Sequence, residues 1–191
     1  MPEDCTQTNR AEHAALELFQ TAALLLGDTA EAVAAVEATV AQVKVDPCAD
    51  PEAARREAER ELVELCITRL RLLHEEALQA PSATDRTPQV TCIETQGLDP
   101  GAAEAENMAR LLEGAGRERM RLWLNDLHPA LRIAFVLRAV LGMGGDEAAG
   151  YLRAAGAGPW TPALVGDAFR EALCSLTSSL LHAASPLAAT A

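Results

Sequence analysis

Aromatic residues are scarce in this 191-residue chain, at 3%, and the strand-like alternation of β-branched or aromatic residues with polar ones is nearly absent. Sandwich and barrel architectures are thereby excluded, and an all-α fold is expected. Cations are also few: 16 Lys and Arg stand against 28 Asp and Glu, a net charge of −12. A chain so acidic repels phosphate backbones unless its cations gather in one place. No uncharged run is long enough to cross a bilayer. Met1 to Asn9 is acidic and polar, without the basic and apolar regions of a secretory signal, so a soluble cytoplasmic protein with no membrane partner is expected. The five cysteines, Cys5, Cys48, Cys66, Cys92 and Cys174, are odd in number, widely spaced and form no C-x-x-C pair, which argues against a disulfide framework. Cys66 and His74 lie on similar helix faces, but two ligands do not make a zinc site. His13, His74, His128 and His182 are scattered, so no nucleophile–base pair is arguable, and Gly142 to Gly145 carries no phosphate-loop lysine. No enzyme activity, metal or cofactor is expected.

Alanine and leucine at helical spacing dominate what remains. The first helix runs from about Asn9 to Leu26, with Leu18, Phe19, Ala22, Leu25 and Leu26 on one stripe, and Gly27 ends it. Asp28 or Thr29 caps a second helix reaching about Val45, with Val33, Val36, Val40 and Val43 as the expected stripe. Asp50-Pro51 opens a third to about Gln79, apolar at Leu62, Leu65, Cys66, Leu70 and Leu73. These three make a helical domain over 1–79. Residues 80–101, rich in Pro, Ser, Thr and Gly, read as a linker. Helical pattern returns over 102–184, and 185–191 is a tail. In this last domain a helix over Pro129 to Leu141 ends at glycines. A short one over Asp146 to Ala155 has Asp146 as expected cap, with Ala148, Ala149 and Leu152 inward. A final helix has Thr161 as N-cap and Pro162 at its first position. Long, short and final helices joined by tight breaks outline a helix-turn-helix unit.

Specific residues sharpen that outline. Leu127-His128-Pro129, Arg132, Phe135-Val136-Leu137-Arg138, the glycine break, Glu147-Ala148-Ala149 and Leu152 resemble the last domain of bacterial RNA polymerase sigma factors of the extracytoplasmic-function type. Leu18-Phe19, Ala22, Leu24 to Asp28, Ala32, Val36 and Val40 resemble the polymerase-binding helix pair of the same family. Leu62, Cys66, Ile67 and Leu70 occupy the place of its promoter-melting helix. The resemblance covers most of the chain in the right order. It implies core RNA polymerase as partner, an anti-sigma protein as a further one, and promoter DNA as ligand. Polymerase or partner binding would fall to Asp28, Glu31, Glu37 and Trp160, and DNA contact to Arg132, Arg138, Arg153, Thr161 and Arg170.

Charge points elsewhere. Residues 1–80 hold 7 basic and 16 acidic side chains, 81–115 hold 2 and 6, and 116–191 hold 7 and 6. The segment placed at the promoter-melting position is therefore the most acidic. The face of the final helix carries Ala163, Gly166, Asp167, Glu171 and Ser175, with Arg170 its one cation, and the turn before it is long and bears Gly156, Gly158, Pro159 and Trp160. Trp160 reads either as a loop aromatic covering the core edge or as a partner anchor. Arg117, Arg119 and Arg121 read as a solvated face or as a phosphate or partner patch. Three functions stay open: a DNA-binding sigma factor, a sigma-fold adaptor or self-associating module that has lost DNA reading, and an unrelated helical binding module.

Overall fold

The computed structural model describes residues 3–44, 50–73, 78 and 117–183, and every regular element among them is helical. In chain order they are α1 (Glu3–Leu26), α2 (Thr29–Val40), α3 (Pro51–Leu73), α4 (Arg117–Asp126), α5 (Pro129–Phe135) running on as a π-helical turn (Val136–Val140), α6 (Gly145–Ala154) and α7 (Pro162–Ala183). None is long and apolar enough to cross a membrane. The linker expected at 80–101, the helical pattern at 102–116 and the tail at 185–191 lie outside the described residues.

Local chemistry accounts for most helix ends. Gly27 ends α1 at φ +77°, a conformation that strains any residue bearing a Cβ. Asp28 caps α2, its Oδ1 accepting from the Glu31 amide at 2.8 Å, and Asp50 does the same for α3 through the Ala53 amide at 2.9 Å. Thr161 Oγ1 accepts from the Leu164 amide, with Pro162 first in α7. The C-terminus of α6 is a Schellman closure: the Ala157 amide donates to the Leu152 carbonyl, the Gly156 amide to that of Arg153, and Gly156 sits at φ +72°. The expected cap at Asp146 is not formed. Gly144 is the N-cap of α6 and Asp146 lies inside the first turn, where its charge still favours the helix dipole.

Packing centres on α5 and its π turn. Ala130 and Arg132 to Ala139 are all buried, so this helix is covered on every side rather than along one stripe. One cluster joins Leu18, Ala22 and Leu25 of α1, Ala32 and Ala35 of α2, and Leu62, Val63, Cys66, Ile67 and Leu70 of α3 to Ile133, Val136, Leu137, Ala148, Leu152, Trp160 and Val165. The two halves of the chain thus share one apolar core. A smaller cluster is built by buried residues of the C-terminal half, with Leu24 of α1 packed against it: Trp123 meets Phe135 edge to face at 5.0 Å, and Phe135 lies 6.1 Å from Phe169.

The expected stripe of α2 is only half inward: Val36 and Val43 are half-buried against the core, whereas Val33 and Val40 are 43% and 57% exposed, and Ala32, Ala35 and Thr39 are the fully buried residues. Small residues on that face let α2 approach α1 and α3 closely. Leu73 is likewise exposed rather than buried at the end of α3. Cys66 is a buried free thiol, its pKa pushed up to about 12 by burial. Cys174, by contrast, is disulfide-bonded, a departure from the expectation drawn from cysteine spacing; spacing along the chain does not report proximity in space.

Candidate functional site

The residues singled out for DNA contact do not form a free cationic surface. Arg132 is 6% exposed and Arg138 5%. Arg138 Nη1 donates to the Met143 carbonyl at 2.7 Å, tying down the glycine break after the π turn, and its guanidinium lies over the Phe169 ring at 5.8 Å. Arg132 reaches across to the turn between α1 and α2, and burial lowers its pKa from the usual guanidinium value. Arg170 pairs with Asp167 at 3.0 Å on the same face of α7. Arg153 is exposed in its body but donates through Nη1 to the Trp160 carbonyl at 2.7 Å. Thr161 is exposed, its hydroxyl engaged as the α7 cap. Arg121 makes a two-pronged contact with Glu118, at 2.7 and 3.0 Å, and the same contact holds the Glu118 carboxyl below its usual range. Side chains at Arg117 and Arg119 lie outside the described residues.

Of the partner-binding group, Trp160 is 0% exposed. Its indole N–H is shared between the Leu78 carbonyl at 3.1 Å and the Ala157 carbonyl at 3.2 Å. Trp160 therefore seals the core beside the end of α3 and offers no surface to a partner in this conformation; a buried indole needs an acceptor, and its own loop supplies one while the segment after α3 supplies the other. Asp28 is occupied as the α2 cap. Glu31 pairs with Arg69 of α3 at 3.0 Å, and Arg69 also donates to the Glu31 carbonyl, so this carboxylate helps dock α2 on α3. Glu37 alone of the group is both exposed and turned away from the core.

What surrounds Glu37 could have been found from spacing. Val33, Glu37 and Val40 stand at i, i+4 and i+7, one face of α2, and the two valines are the exposed apolar residues noted above. The result is an outward surface of two β-branched side chains around one carboxylate. Such a surface suits a protein partner and repels phosphate.

A second cluster of carboxylates lies where α1, α3 and α6 meet. Glu59 of α3 has a raised pKa, from burial first, opposed by Arg55 and reinforced by Glu17 of α1 and Glu147 of α6. Glu17 and Glu59 also border an open cleft of about 670 Å³ together with Leu18, Arg55, Arg121 and Leu141. Among the described residues, no group of three or more His, Cys, Asp or Glu side chains is disposed to hold a metal ion.

No family model, curated protein or solved structure matches the chain.

Proposed function

We propose that this chain is a divergent sigma-like helical protein of transcription initiation or its regulation, which binds core RNA polymerase through the outer face of α2 and does not read promoter DNA. The observation that carries the reading is the exposure of Val33 and Val40 around Glu37 on the helix that the family resemblance assigns to polymerase. Two half-exposed valines flanking one carboxylate on α2 offer a protein partner apolar area to bury. The fate of the cations supports the second half of the proposal. Arg132 and Arg138 are interior, Arg170 and Arg121 face carboxylates on their own helices, and Arg153 is spent on the Trp160 carbonyl. Counterion release needs cations held against phosphates, and these are held against protein.

On this reading α5 with its π turn, α6 and α7 descend from a helix-turn-helix whose scaffold is kept, with a cytoplasmic setting and an anti-sigma protein as a second partner. The test is capture of purified bacterial core RNA polymerase by the tagged full chain. Glu37→Arg combined with Val33→Ser is expected to weaken capture at least tenfold, about 1.4 kcal/mol, with the far-UV circular dichroism unchanged. Equal capture by both chains refutes the assignment of this face, and no capture by the parent chain refutes the polymerase itself.

A further inference from the structure

The seam between the two halves has an unusual composition. Arg132, from α5, puts Nη1 where a Cβ on Gly27 would lie only 2.5 Å away, and Asn125 Oδ1 would lie 2.8 Å from the same Cβ. Arg71, from α3, puts Nη1 3.2 Å from the Cβ position of Gly156 at the end of α6. Each half thus lays an arginine of its own against the helix-ending glycine of the other. Neither guanidinium meets a carboxylate among the described residues, and the Nε of each is buried without an acceptor. The carbonyl ends of α1 and α6 offset part of the charge through their dipoles, but a dipole end does not replace the hydration that burial removed. Packing is also densest inside each half, α1 with α2 and α5 with α7, and sparser where α3 meets α6 and α1 meets α4.

We infer that the chain opens along this seam before either half loses its helices, because parting it rehydrates Arg71 and Arg132, and that Trp160 is the group uncovered. Trp160 is the fitting reporter: it is wholly buried, and its indole N–H crosses the seam to the Leu78 carbonyl. The inference does not depend on the transcription reading; it follows from packing and hydration alone.

The experiment uses the full chain with Trp123→Phe, which leaves Trp160 as the one emitting tryptophan. Urea titration is followed in parallel by emission and by far-UV circular dichroism. The Trp160 emission is expected to shift to longer wavelength while the helical signal is still intact. Adding Arg132→Met, which keeps the length and removes the charge, is expected to move the emission curve to higher urea, towards the helical one. Hydrogen exchange on the unaltered chain supplies a check free of substitutions: the amides of Ala157 and Trp160 should exchange faster than those in the middle of α5 and α7. Superimposed emission and helix curves, a shift to lower urea in the Arg132→Met chain, or equal protection of these amides would each overturn the inference.

Discussion

Replacing Gly27 by alanine probes the α1–α2 turn and the seam together. Gly27 has φ +77°, and a left-handed residue bearing a Cβ costs about 1–2 kcal/mol. The added methyl would also lie 2.5 Å from Arg132 Nη1 and 2.8 Å from Asn125 Oδ1. Both neighbours are side-chain ends and can move, but Arg132 is almost wholly enclosed, so its displacement resembles overpacking and adds about 1–3 kcal/mol. The expected loss is therefore about 2–5 kcal/mol, a large part of the ~5–15 kcal/mol that holds a typical domain. Arg132→Met removes the nearer obstacle and leaves the backbone strain. In that background Gly27→Ala should cost about 1–2 kcal/mol less. Four chains, parent, two single variants and the double, are unfolded in urea, and free energies are summed over all transitions resolved by tryptophan emission and circular dichroism. A coupling below about 0.5 kcal/mol, the scatter expected of independent sites, would refute the close approach of Arg132 to Gly27.

Three further outcomes are expected. Glu59 has a folded-state pKa above its ordinary value, so the folded chain binds its proton more tightly than the unfolded chain does; the stabilisation from this group is present in full below the ordinary pKa and is lost as pH rises through the folded one. Glu59→Gln should accordingly raise stability at neutral pH and reduce the fall in stability between acidic and neutral pH, both read from urea midpoints across that range. Cys66, with its thiol pushed up to about 12 and fully enclosed, should resist a maleimide or a disulfide reagent at mildly alkaline pH and react at once in urea, which mass spectrometry of the labelled peptide reads. Asp28→Ala should lower stability by about 1 kcal/mol through loss of the α2 cap, whereas Asp28→Asn should cost only a few tenths, as thermal unfolding will show.

Much of the fold is legible in the residues. Apolar stripes at Leu18, Ala22 and Leu25, at Leu62, Cys66 and Leu70, and at Val165, Ala168, Phe169 and Ala172 do face the core, and Gly27, Asp50 and Thr161-Pro162 mark helix ends as punctuation should. The errors share a cause. Hydrophobicity alone does not fix the inward face: in α2 the small residues Ala32, Ala35 and Thr39 are fully buried, Val36 and Val43 only partly, and Val33 and Val40 face outward. Charge ordinarily marks surface, yet α5 and its π turn are so central that Arg132 and Arg138 are carried inside with them. A contact between segments distant in sequence leaves almost no local signal, which is why Arg71 against Gly156, and Trp160 against Leu78, could not be read beforehand. Glycines that end helices at positive φ are ambiguous in the same way: Gly27 and Gly156 serve the turn and also admit a guanidinium. The surface around Glu37 is legible in part, because Val33, Val36, Val40 and Val43 together with Ala32 and Ala35 span more of α2 than one inward face can bury.

On the proposed function the described cations of the C-terminal half, Arg121, Arg132, Arg138, Arg153 and Arg170, are engaged within the protein and form no surface for phosphate. Fluorescence anisotropy of a labelled DNA duplex, titrated with the full chain at low and then at physiological salt, tests it directly. The account predicts no rise in anisotropy at either salt. A saturable rise at low salt that falls steeply as salt is added would mean that arginines are free to displace counterions, and would contradict it.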